Sequence, residues 1–138
     1  MGFIRGNAAM KESSYLLWFR RVLWLGIIAN VLVGIVSIAF TPMVLELLRL
    51  PPAEPLVWPR FSAFMLILLS GFYVLAARNP SHNVLAAIYA VVCRFGGVTF
   101  FSIVGGGYIL FALYDFIFGL PEAILLGFAY ASSRQSRN

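Results

Sequence analysis

Long uncharged runs separated by short polar breaks set the pattern of this chain. Residues 22–45 are 24 positions without a charge, and residues 61–77 are 17. From residue 84 to residue 131 only Arg94, Asp115 and Glu122 interrupt the uncharged sequence. A helix needs about 20 apolar residues to cross a bilayer. The first run therefore predicts a spanning helix over about residues 16–48, bracketed by Arg20 and Arg21 on one side and Glu46 and Arg49 on the other, with a kink at Pro42. Four prolines within residues 50–60 predict an extended extramembrane loop. The second run predicts a helix over about residues 60–78, short enough that Arg60 and Arg78 snorkel outward. RNPSHN, at 78–83, then reads as a polar turn.

The second half admits two parses. The longest uncharged segment there is 95–114, but one helix drawn through it would hold five glycines, each costing about 1 kcal/mol relative to alanine. It would also leave 84–93 too short to span. A hairpin turned at Gly105-Gly106-Gly107 gives two ordinary spans, about 83–104 and 107–131. The expected fold is all-α: one integral membrane domain over residues 1–138, a four-helix bundle made of two helical hairpins. This topology puts Arg5, Lys11, Arg20, Arg21, Arg78, Arg134 and Arg137 on one side, against Arg49 and Arg60 on the other. Basic residues concentrate on the cytoplasmic side, so both termini are expected there.

Composition agrees with lipid as the solvent. Hydrophobic residues make up 62% of the chain and charged residues 11%, against about half and a quarter in soluble domains. The net charge of +5 is therefore read through its placement at the membrane surface, and no nucleic-acid partner is expected. The first run is longer than the roughly 7–15 residues of a signal-peptide core, which favours a retained helix. Gly6 stands where a myristoylation signal would carry Ser or Thr. Trp18, Trp24 and Trp58 fit interface anchors.

The chemistry is sparse. Cys93 is the single cysteine and His82 the single histidine, so neither a disulfide, a metal cluster nor a haem with two histidine ligands is expected. Cys93 reads as a small buried apolar residue and His82 as a solvated turn residue. No nucleophile with a base stands out, and catalytic and metal-binding residues are expected to be none.

Arg94 is the informative residue. It lies eleven residues before Gly105, and Asp115 lies eight after Gly107. At about 1.5 Å rise per residue the two sit at similar depth on antiparallel neighbours, so an intramembrane ion pair is expected. Its simpler role is to pin two helices together; its sharper one is a proton path with Asp115 as relay. Glu122, seven residues on, shares the Asp115 face and extends that relay. Pro121 offers another reading, in which GLPE at 119–122 breaks the helix and Glu122 begins a new one, pairing with Arg78 or Arg20. Ala90, Gly96 and Gly97 would allow close helix approach. The phenylalanines crowding 95–128 could face lipid or hold a quinone or pigment.

Arg60, the segment SGFYVLAARNPSHN at 70–83 and the CRFGG at 93–97 together resemble small four-helix bacterial membrane proteins, DoxX-like in layout, over about residues 20–130. The resemblance implies a bacterial inner-membrane location and a topology, and some such proteins are partners of membrane redox systems. Where that pattern often has lysine this chain has Arg94, which keeps the charge but does not readily release a proton. Three functions are thus in view. The first is a non-catalytic accessory subunit packed on a larger membrane complex, such as a redox or energy-converting one. The second is an oligomeric proton-coupled transporter using Asp115 and Glu122. The third is a binder of a hydrophobic cofactor such as a quinone or pigment.

Overall fold

The computed structural model describes the backbone of residues 14–135 and the side chains of 14–133. Arg5, Gly6, Lys11, Arg137 and the side chain of Arg134 lie outside the described residues. The chain runs α1 (Ser14–Ala39), α2 (Thr41–Leu47), α3 (Val57–Arg78), α4 (Val84–Val104) and α5 (Ile109–Gln135). Among the described residues, four helices are long and apolar enough to cross a membrane. The protein is an all-α, multi-pass membrane bundle. The helices close a ring in which α1 packs on α3 and α5, and α4 packs on the same two; α1 and α4 face each other across the diagonal.

The packing is that of a protein dissolved in lipid. Large apolar side chains such as Leu25, Leu68, Leu85 and Ile103 point outward, whereas seven of the buried apolar residues are alanines on α3, α4 and α5. Lipid tails are as apolar as leucine, so burying leucine against another helix gains little, while small residues let backbones approach. Trp18, Trp24 and Trp58 all project outward, and Arg21 lies over the Trp18 ring at 4.9 Å.

Two prolines behave differently from expectation. Pro42 does not merely kink the first helix: α1 stops at Ala39 and α2 begins at Thr41. Proline has no N–H for the carbonyl four residues back, here that of Ile38. The Thr41 hydroxyl donates to the carbonyls of Ser37 at 2.7 Å and Ile38 at 3.2 Å, supplying the missing donor. Arg60 Nε then donates to Thr41 Oγ1 at 3.2 Å and ties the start of α3 to this break. Pro121, by contrast, breaks nothing, because α5 runs through it without interruption. Membrane helices tolerate proline where neighbouring groups re-satisfy the backbone. Glu122 is consequently a mid-helix residue and not the start of a new helix.

The proline-rich loop is also shorter than its composition suggests. α3 begins at Val57, so Trp58 and Pro59 lie in its first turn, where a missing N–H costs nothing because those groups have no intrahelical acceptor. The glycine turn forms as expected. Gly105 and Gly106 take φ of 73° and 59°, values that a side chain disfavours, and a 3₁₀ turn over Gly106–Tyr108 leads into α5. Gly107 seats on the backbone carbonyl of Leu48, where a Cβ would collide.

Candidate functional site: a charged centre inside the bundle

Arg94 sits at the midpoint of α4 and is the largest side chain that the fold buries completely, 2% exposed. Its Nη1 donates to Asp115 Oδ1 at 2.9 Å, as the matched depths predict. The same nitrogen donates across the diagonal to Asn30 Oδ1 on α1 at 3.3 Å. Tyr114 OH donates to that same Asn30 oxygen at 2.7 Å. Tyr73 from α3 and Tyr114 and Phe118 from α5 place ring centroids 5.5, 5.7 and 5.2 Å from the guanidinium carbon, within cation–π range. One side chain thus touches every other spanning helix.

Room for it comes from glycines on three helices. A Cβ at Gly97 would overlap Asp115 Oδ2. One at Gly119 would come within 2.8 Å of Arg94 Cβ, and one at Gly26 within 2.7 Å of Arg94 Nη2. Ala90 is buried as expected, but Gly96 is not part of the packing: it faces open space, because α4 turns it away from α3 and α5.

Glu122, expected on the Asp115 face, is enclosed in the same bundle. It is 0% exposed, and neither carboxyl oxygen has a hydrogen-bond partner. Neither Arg78 nor Arg20 pairs with it. Arg20 Nε donates instead to the Ala77 carbonyl at 3.1 Å, near the RNPSHN turn, and Arg78 lies exposed beside that turn. The nearest cation is Arg94. A Cβ at Gly26 would stand 2.7 Å from Arg94 Nη2 and 3.6 Å from Glu122 Oε1, so both groups crowd the bare backbone of this glycine. Arg94 Nε and Nη2, the forked edge of the guanidinium, also lack partners, as does Asn30 Nδ2. Buried polar groups are ordinarily satisfied, so five unmet atoms on Arg94, Asn30 and Glu122 set this centre apart from the rest of the bundle.

The rest of the expected chemistry lies elsewhere. Cys93 is half-buried and packs against the apolar core. His82 is exposed in the turn, its Nδ1 3.1 Å from Asn79 Oδ1. That turn and the start of α1 line a basic cavity of about 290 Å³ with Arg20, Arg78, Asn79, Ser81 and His82. The buried residues Phe19, Leu23 and Leu126 belong to an apolar cluster that joins α1, α3, α4 and α5. The aromatic crowding resolves in part into a cluster at the α4–α5 turn, where Phe101 and Phe111 lie 5.2 Å apart with Tyr108 beside both. Among the described residues no group of three or more His, Cys, Asp or Glu could hold a metal ion.

Asn30, Gly26 and Gly119 are absent from the site that the sequence predicts. Asn30 had a signal: it is the one asparagine in the 24-residue uncharged run, and a polar residue inside a span normally faces protein. No protein-family model matches the chain, and no curated protein or solved structure matches it either.

Proposed function

We propose that this is a small proton-coupled membrane carrier whose proton-binding groups are Asp115 and Glu122, set on either side of Arg94. The observation that carries the reading is Glu122. Arg94 and Asp115 already neutralise each other, and a pair that served only to join helices would need no second acid. A carboxyl group sealed inside a membrane bundle without any donor is costly, and such groups mark ion and proton pathways by default. Asp115 keeps 17% of its side chain accessible while Glu122 is enclosed, so the two acids differ in access as a relay requires. Their seven-residue spacing puts them about 10 Å apart along one helix face. The distribution of basic residues supports cytoplasmic termini, Glu122 then lying nearer the cytoplasm than Asp115, and the DoxX-like layout of the sequence supports a bacterial inner-membrane setting.

The experiment is proton flux into liposomes that contain the purified protein and a trapped pH-sensitive dye. A pH gradient should drive dye response with the wild type and not with Glu122→Gln. Equal flux from protein-free liposomes and wild type would dispose of the carrier reading. A second reading, an accessory subunit of a larger membrane complex, is favoured by a different feature. The outer face of α4 carries an open apolar groove at Val92, Gly96 and Phe100, with nothing near Gly96, where a partner helix would fit. Co-purification of a second membrane protein that is lost on Gly96→Leu would support it.

A further inference from the structure

Resting on the carrier reading, we infer that Arg94 is a shared cation that exchanges partners, held by Asp115 in the state described here and by Glu122 in a second state. The geometry supplies each part of the exchange. Nη1 carries both contacts of the present state, to Asp115 and to Asn30. Nε and Nη2 stand idle, and their edge is the one that grips a carboxylate with two parallel bonds. Both oxygens of Glu122 stand idle as well, and the bare Gly26 backbone against which Nη2 packs also lies beside Glu122 Oε1. The groups facing Glu122 are Arg94 from α4, Tyr73 from α3 and Asp115 on its own helix; α1 faces it with Gly26. Among the described residues, Arg94 is therefore the one cation that faces either acid.

Charge then fixes the protons. One guanidinium balances one carboxylate, so the acid that is not paired carries the proton. In the present state Asp115 is the carboxylate and Glu122 the neutral acid. In the exchanged state Glu122 has given up its proton and taken Arg94, while Asp115 has accepted a proton and let Arg94 go. The net charge of the centre is zero in both, and the exchange carries one proton from one acid's position to the other's without an uncompensated charge in the bundle. Arg94 keeps its own proton throughout, which is what an arginine does and a lysine need not.

Three variants and one spectrum test this. Asp115→Asn and Glu122→Gln should each leave a folded protein at close to wild-type yield, because Arg94 retains one acid. The double variant should lose at least about tenfold in folded yield, since a buried cation is then unpaired. Infrared spectroscopy of the wild type should show a protonated-carboxyl carbonyl band that disappears in Glu122→Gln. It should disappear in Asp115→Asn too, where Glu122 becomes the carboxylate paired with Arg94. The inference is overturned if Asp115→Asn falls as far as the double variant, if the double variant folds normally, or if the band survives Asp115→Asn. Absence of flux with this band pattern intact would remove the carrier function and leave the shared cation standing.

Discussion

The apolar cluster and the charged centre are built from the same four helices and tolerate error differently. In the cluster, Phe19 and Leu23 sit among Ala76, Ala77, Ala87 and Ala90, and contacts between these apolar side chains depend on shape alone. In the centre, Arg94, Asp115, Asn30 and Tyr114 meet through directed bonds, and glycines rather than alanines line the approach. Shape can be met by several side chains of similar volume; a fixed pattern of donors and acceptors can be met by few. The first region gives the bundle its cohesion, and the second decides how the helices are turned against one another.

The sharpest way to break the comparison is Arg94→Ala. Removing one partner of a buried pair leaves the other charge without compensation, so a loss of about 3–5 kcal/mol is expected, read as folded yield and denaturant midpoint in detergent. Phe19→Ala empties a fully buried position in the apolar region and should cost roughly 3 kcal/mol on the same assay, whereas Leu23→Met, which conserves volume, should cost less than about 1.5 kcal/mol and leave flux intact. If Leu23→Met destabilised as much as Arg94→Ala, the two regions would not differ in kind. Gly97→Ala drives a methyl group into Asp115 and should cost about 1–3 kcal/mol, although the same change at Gly96, which faces open space, should be nearly silent. Away from both regions, Thr41→Val removes the donor that satisfies the carbonyls before Pro42 and should cost about 1 kcal/mol, detectable as a small fall in thermal midpoint.

Much of this arrangement is legible in the sequence because its cause is periodic. Hydropathy sets the spans, the glycine triplet sets the turn, and the constant rise of a helix then matches Arg94 to Asp115 in depth. Rotation of each helix about its own axis is not written in hydropathy, since a membrane helix is apolar on its lipid face and its packed face alike. That is why Gly26 and Gly119 carry no sign of their place in the centre, and why Gly96 and Gly97, adjacent in sequence, differ, the one facing open space and the other Asp115. Pro121 misleads for a related reason: its local rule describes a helix in water, and here the surrounding bundle holds the helix together. The isolation of Glu122 is a statement about what does not reach it, and no single segment contains that information.

The diagonal contact from Arg94 to Asn30 has a mechanical meaning. Four rods joined only to their neighbours form a linkage that shears freely from square to rhombus, however strong the joints. A single strut across one diagonal removes that freedom. The bond from α4 to α1 is such a strut, and it uses the same nitrogen that holds Asp115. In the proposed exchange the side chain that forms the strut is the one that changes partners, so the position of the proton and the bracing of the frame depend on one residue.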